Sequence, residues 1–241
     1  SLVTVLDIGS TKMCCIIARL APRGEGKALK GRSHSIEVLG FGYGKSEGVK
    51  SGTVADLESA ERAIRKVVSM AERQAGVTAE SVIVNVSAGR LSAETFSASV
   101  SLAGHEVEPD DLSRVLRAVN ERGVRGERSI VHAMPIGYAL DGQRGIMDPR
   151  GMVGEELGVD VAVVSSEPLA MRNVELAVNR AHLQVEALVA TPYASGLVSR
   201  VDDEARLGTA VIDFGGATTT VAVFSDGGLV YADALAVGGH H

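Results

Sequence analysis

Between residues 56 and 75 the apolar side chains recur at Leu57, Ala60, Ala63, Ile64, Val67, Val68 and Ala71, a spacing that gathers them on one face of a helix. Gly76 follows where a helix C-terminus is expected. Pro109 opens a second amphipathic stretch, with Leu112, Val115, Leu116 and Val119 on one face and Gly123 at its end. Helical patterns also cover 168–181 and a segment from Thr191 that stops before Asp202. Short runs rich in β-branched residues predict strands at 3–6, 13–20, 36–43, 81–86, 94–102, 130–140, 159–164 and 185–190. The first two form a hairpin. Residues 22–35 and 141–151, rich in Gly, Pro and charged side chains, read as loops. Strands alternating with helices predict an α/β fold with a mostly parallel core.

Composition narrows the classes. The 241 residues are 45% hydrophobic, enough to bury the core of one or two domains. Lys and Arg number 24 against 30 Asp and Glu, for a net charge of -6, and no basic cluster is dense enough to neutralise a run of phosphates. Aromatic residues are 3% and Trp is absent, so the stacking platforms of single-strand binders are missing too, and nucleic acid is excluded as a partner. Cys14 and Cys15 are adjacent, which rules out a disulfide between them in a strand and leaves two small hydrophobes of a reducing compartment. His105, His132 and His182 lack ligand spacing, so no metal site is read from them. The first eight residues do not form a secretory leader, and no apolar run approaches the ~18 residues of a membrane span. A cytoplasmic location is expected.

The chemistry lies in a repeat. An apolar strand leads into Asp7-Ile8-Gly9-Ser10-Thr11-Lys12, and near the other end Ala210-Val211-Ile212 leads into Asp213-Phe214-Gly215-Gly216-Ala217-Thr218-Thr219. Aligning Asp7 with Asp213 also aligns Gly9 with Gly215. Glycine admits a phosphate close to the backbone, amide N–H groups and Ser/Thr hydroxyls donate to its oxygens, and an aspartate at a strand end holds Mg²⁺ or its waters. One such turn is an ordinary hairpin turn. Two of them at opposite ends of a chain are what a duplicated ATPase with a cleft between lobes requires. Asp7 and Asp213 are therefore the Mg²⁺ candidates. Gly9, Ser10, Thr11 and Lys12 line one side of the ATP phosphates, and Gly215, Gly216, Thr218 and Thr219 the other.

Those loops, with Tyr193-Ala194-Ser195-Gly196 between them, resemble the actin/Hsp70/sugar-kinase superfamily. Glu47-Gly48-Val49-Lys50-Ser51-Gly52 before Asp56-Leu57-Glu58, Asn85-Val86-Ser87-Ala88-Gly89, His132-Ala133-Met134-Pro135-Ile136-Gly137-Tyr138 and Asp148-Pro149-Arg150-Gly151-Met152 narrow the likeness to the FtsA family of bacterial cell division, over the whole chain. The resemblance implies an actin-like (ribonuclease H-like) lobe, subdomain IA, from 1–83 plus 161–200. It also implies an inserted α+β subdomain, IC, at 84–160, and the start of a second lobe, IIA, at 201–241. It further implies an ATP- and Mg-binding scaffold that polymerises and links the tubulin-like FtsZ ring to the inner membrane at the septum. Later division proteins would bind through IC. The FtsZ-binding lobe and the membrane-binding helix would lie beyond this portion, and His240 and His241 would begin the next helix.

Hydrolytic members of the superfamily carry Glu before the proline of the connecting motif. Here Thr191 precedes Pro192. A missing general base lowers rates by about 10²–10⁴-fold, so no catalytic residue is assigned and little ATPase activity is expected. The rival readings are a PilM-type pilus-assembly adaptor and a phosphotransferase or ATPase of the same fold. Arg114, Arg117, Arg122, Arg125 and Arg128 read as half-solvated decoration near the insert's helix. The last strands, 209–224 and 229–235, are expected at a sheet margin.

Overall fold

A computed structural model describes all residues except 24–33, 88, 124–127 and 241. Most of the expected 22–35 loop therefore lies outside the described residues. Its ends do not form loop: Pro22 closes one strand, and His34 and Ser35 open the next.

The first layer is a five-stranded sheet. β1 (Leu2–Ile8), β2 (Lys12–Pro22) and β3 (His34–Lys45) form an antiparallel meander, and β4 (Val49–Lys50) and β5 (Thr53–Val54) make a separate small hairpin. Helix α1 (Leu57–Ala75) is capped by Asp56, whose Oδ1 accepts from the Glu58 and Ser59 amides, and it ends at Gly76 in the left-handed region, φ 68°. Ala60, Ala63, Ile64, Val67, Val68 and Ala71 are buried, as their spacing predicts. They rest on β3 because Gly40 and Gly42 leave no side chain in the way. A Cβ on Gly42 would lie 1.8 Å from the Val67 carbonyl oxygen, and one on Gly40 2.1 Å from that of Ala71. Leu6, Met13, Cys15, Ile17, Val82 and Val84 complete this core from the sheet side. β6 (Ser81–Val86) lies beside β1.

The chain then leaves for a second layer. β7 (Ser92–Ser101), α2 (Pro109–Gly123), β8 (Ser129–Leu140), β9 (Gln143–Ile146) and β10 (Glu156–Ser166) form an antiparallel sheet with β10 between β7 and β8. Leu157, Val159, Val161 and Val163 of β10 point at Val115 and Val119 of α2. The 141–151 segment is more than the loop expected, since it contains β9. Asp141 (φ 50°) and Gly142 (φ 82°) make the tight Asp-Gly turn that joins it to β8.

On returning, α3 (Pro168–Arg180) packs beside α1, and β11 (Gln184–Ala190) joins β6. The sheet order is β11-β6-β1-β2-β3. α4 (Thr191–Ser199) and α5 (Asp202–Leu207), the latter not anticipated, lead to the meander β12 (Thr209–Phe214), β13 (Thr219–Ser225) and β14 (Gly228–Leu235). β14 touches β7 through the Asp233–Ser92 bridge, while β12 stays at the sheet margin. Val84–Val86 belong to β6 of the first sheet, and Val161–Ser166 continue β10 of the insert.

The expectation of a mostly parallel core is corrected. Among the described residues only β1–β6 and β6–β11 pair in parallel. Helices α1 and α3 provide the long crossovers that parallel strands need, and short turns make the other pairs antiparallel.

Arg128 corrects a second expectation. It is no surface decoration: its guanidinium donates to the Arg90 carbonyl, the Ser92 hydroxyl and both the hydroxyl and carbonyl of Ser165. Beside it, the Ser166 hydroxyl and the Glu167 amide donate to the Gly89 carbonyl. The outgoing and returning crossovers of the insert are thereby stapled together. Arg114, likewise, donates to Asp111 and to the Ser101 carbonyl. Arg125 lies outside the described residues. Replacing Arg128 with Met keeps the aliphatic stem and removes these donors, and it is expected to lower stability by about 1–3 kcal/mol. Urea denaturation checks this, and an unchanged midpoint would remove the staple from the account.

Candidate functional site

The two Asp-x-Gly loops adopt the same turn. Gly9 donates its amide to the Lys12 carbonyl at 3.0 Å, and Gly215 to that of Thr218 at 2.8 Å. Both glycines are required for the same reason, because an added Cβ would lie 2.8 Å from the Lys12 oxygen in one loop and 2.7 Å from the Thr218 oxygen in the other. The repeat seen in the sequence is thus a repeat of backbone geometry. The loops also meet: a Cβ on Gly216 would lie 2.3 Å from Cγ2 of Thr11.

Loop 1 is braced from β3 and the β4–β5 hairpin. Ser46 donates its amide to the Thr11 carbonyl, and the Ser10 hydroxyl accepts from the Gly52 amide at 2.7 Å, which leaves its proton free to donate. Lys12 is exposed at the start of β2. In loop 2 the Thr219 hydroxyl is already engaged by the Val237 carbonyl at 2.7 Å. The Gly239 and His240 amides donate to the Gly215 and Gly216 carbonyls, so the last described residues turn against this loop. His241 lies outside the described residues.

Asp7 is the best-supported group. Asn85, at the end of β6, accepts from the Ile8 amide at 2.8 Å and donates both to Asp7 Oδ1 at 2.6 Å and to the Thr191 hydroxyl at 3.1 Å. Asp213 is held differently, by the Ser195 hydroxyl donating to Oδ2 at 2.8 Å. Helix α4 therefore contacts Asp213 directly through Ser195, and it reaches Asp7 one step removed, through Thr191 and the Asn85 amide that they share. Asn85 and Ser195 were quoted in the sequence motifs but given no role. Their spacing to Asp7 and Asp213 along the chain carries no signal, because the contacts join different crossovers.

Burial holds the Asp7 carboxyl above its usual range. Asn85 and Lys12 oppose this, and the negative charge of Asp213 adds to it. Two carboxylates that feel each other, both at strand ends beside glycine turns, favour a cation between them. Cys14, paired with Asp7 across the β1–β2 ladder, also has a raised pKa, chiefly from burial and then from Asp7. Cys15, on the core side, is pushed up to about 12 by burial. Both thiols are free.

The residues fit Mg²⁺ and phosphate. Among the described residues no group of three or more His, Cys, Asp or Glu side chains gathers to hold a metal. Two carboxylates, with the rest of the shell from phosphate oxygens and water, is the usual arrangement for Mg²⁺. Among the described residues two buried hydroxyls lack partners, Ser46 Oγ beside loop 1 and Thr220 Oγ1, whose residue lies opposite Asp213 in the β12–β13 ladder. Buried hydroxyls of this kind call for a bound group or an ordered water. A cavity of ≈ 250 Å³ on the outer face of the insert, lined by Ser97, Arg144 and Asp160 among others, is remote from these loops.

Comparison with known proteins adds the following. The family model described as the SHS2 domain inserted in FTSA matches residues 88–165. The chain is 56% identical over 239 residues to the cell division protein FtsA of Rhizobium meliloti, covering 99% of this chain and 54% of that protein. It is 55% identical to that of Agrobacterium fabrum over 100% of this chain and 54% of the relative, and 29% identical to that of Pseudomonas aeruginosa over 97% and 54%. The chain thus spans about half the length of the curated relatives it matches. Among solved structures, the PilM-PilN type IV pilus biogenesis complex superposes with a TM-score of 0.62 at 17% identity, covering 98% of this chain and 62% of that one, a likeness of fold alone.

Proposed function

The chain belongs to the FtsA family of bacterial cell-division proteins, with an actin-like α/β ATPase fold that carries an inserted SHS2 subdomain, and we propose that it supplies the ATP-binding cleft of a division scaffold. Asp7 and Asp213 hold Mg²⁺, largely through water. Gly9, Ser10, Thr11 and Lys12 face the β- and γ-phosphates from one side, and Gly215, Gly216, Thr218 and Thr219 from the other. The observation that carries this reading is that two loops closed by the same glycine amide-to-carbonyl bond, each following an aspartate near a strand end, meet where Thr11 packs against Gly216.

Subdomain IA is assigned to 1–83 plus 161–200, IC to 84–160 and the start of IIA to 201–241, with β6 and β10 each running past one of these bounds. Nucleotide acts mainly as a structural ligand. Thr191 stands at the first turn of α4 with its hydroxyl accepting from Asn85, and a threonine there has no carboxylate with which to activate water. In the whole protein, bound ATP favours self-association into dimers or filaments. The assembly links FtsZ to the cytoplasmic face of the inner membrane at the septum through contacts outside these residues, and IC receives later division proteins. Among the described residues no helix is long and apolar enough to cross a membrane.

The test is MgATP binding and phosphate release by the full-length polypeptide, with Asp213→Ala beside it. Saturable binding that the substitution removes, with phosphate release near background, is expected. Fast, saturable release would place the protein among the enzymes instead.

A further inference from the structure

Between the insert and the cleft stands one polar cross-link that the phosphate-binding reading leaves unused. His132, on β8 of the insert, accepts a hydrogen bond at Nε2 from the Ala190 amide at 2.9 Å. Ala190 ends β11 and is the N-cap of α4, with no side-chain capping bond of its own. The next residue, Thr191, shares Asn85 with Asp7. On its other side the ring packs on Tyr193 of α4, centroids 5.0 Å apart, and Tyr193 in turn leans on Phe224 of β13 at 6.5 Å. One imidazole therefore contacts the start of the helix that bonds Asp213 through Ser195 and reaches Asp7 through Asn85, and it belongs to a subdomain that supplies no phosphate-loop residue.

We propose that His132 is the positioning residue through which the inserted subdomain and the nucleotide cleft sense each other. The inference rests on the reading of the cleft given above. With the bond made, the amide at the head of α4 is fixed, Thr191 is presented to Asn85, and Asn85 is held against Asp7. A shift of β8 against β11, such as a protein docking on the insert would cause, breaks the bond and loosens that series. Because coupling is reciprocal, nucleotide in the cleft equally favours the orientation of the insert that keeps the bond.

The chemistry of the ring gives this coupling a signature. Acceptance at Nε2 requires the neutral imidazole with its proton on Nδ1. Burial pushes the His132 pKa below its ordinary 6.5. The groups around it explain why. α4 presents Tyr193, β11 presents a backbone amide while its Glu186 is bonded to Ser81, and β10 presents Val164 while its Asp160 is engaged by Ser97 and Arg144. A depressed histidine pKa means that the bond's contribution is complete above pH 6.5 and is lost as pH falls through the lower folded value.

The experiment compares wild type, His132→Ala and His132→Gln in the full-length polypeptide, reading MgATP affinity between pH 7.5 and 5.5 and hydrogen exchange with and without nucleotide. Glutamine restores an acceptor that does not titrate. His132→Ala is expected to weaken MgATP about tenfold, within the usual range of coupling between sites, and to expose the Ala190 amide. It should also abolish nucleotide-dependent protection in β8. His132→Gln should keep affinity within about threefold of wild type and remove the acid-side loss that wild type shows relative to it. Wild-type affinity and β8 protection in the alanine variant would overturn the inference while leaving the cleft intact. A wild type that binds no MgATP overturns both. Should His132→Ala fail to fold, the pH difference between wild type and His132→Gln decides the matter, and matching profiles overturn the proposal.

Discussion

Replacing Asp7 with Asn is expected to raise the melting temperature of the nucleotide-free protein by a few degrees while lowering its affinity for MgATP about 100-fold or more. The two effects have one cause. Asp7 is half-buried at the end of β1 and feels the charge of Asp213, so its own charge is costly until a cation arrives, and its pKa is raised, chiefly by burial. Asparagine has the same shape and can still accept from the Asn85 side chain at the position where Oδ1 now lies 2.6 Å away. The fold keeps its hydrogen bond and loses the repulsion, whereas Mg²⁺ loses a ligand charge. Truncating one side of a buried charge interaction costs about 2–5 kcal/mol, which gives the size of the affinity loss.

The pH dependence follows with a definite sign. A carboxylate with a raised folded pKa binds its proton more tightly in the folded state, so its penalty is full above that pKa and fades as pH falls toward 3.8. The stability advantage of Asp7→Asn should therefore be present at pH 7 and shrink at pH 4. Asp56, Glu61, Asp111 and Asp148 have lowered pKa values and destabilise the fold on acidification, so the difference between variant and wild type is the quantity to read. Calorimetry across that range, with isothermal titration of MgATP, checks both halves. Retained MgATP affinity in the variant would remove Asp7 from the metal site.

The second large effect concerns the seat of α4. Phe224 is fully buried between the helix and the β12–β14 meander. Its ring lies so close under Gly196 that a Cβ there would come 2.2 Å from Cε2, and the Arg200 guanidinium stands 4.0 Å from the ring centroid. Phe224→Ala is expected to lower stability by about 3–5 kcal/mol, the cost of an emptied aromatic site. Gly196→Ala overpacks the same contact and costs about 1–3 kcal/mol. Combined, the two should cost less than their sum, because the alanine methyl enters the space the ring has left. Denaturant titration of the three variants measures this, and strict additivity would contradict the contact. Since Ser195 adjoins Gly196 and donates to Asp213, nucleotide affinity should fall in Phe224→Ala as well.

What could be read in advance and what could not divide along a physical line. Helix α1 was legible in its extent, its buried face and its stop at Gly76, because these act within a few positions of one another, whereas the capping role of Asp56 emerged only in the structure. The glycine turn of the two loops was legible for the same reason, since Gly9 and Gly215 each bond the carbonyl three positions on. β9 was missed although Asp141-Gly142 is a hairpin signal, because the surrounding glycines and prolines masked so short a strand. Arg128 looked like one more exposed cation. Its partners Arg90, Ser92 and Ser165 are brought to it only by the two crossovers of the insert.

By itself, then, the sequence determined the longer local elements and the duplicated Asp-x-Gly pattern, because periodicity and tight turns are short-range properties of the chain. Strand partners, the parallel β1–β6–β11 set within otherwise antiparallel sheets, the meeting of Thr11 with Gly216, and the placing of Asn85, Ser195 and His132 around α4 were decided only by tertiary structure. Each depends on which surfaces the crossovers bring together. That choice is made by burial over the whole core, which no local pattern encodes.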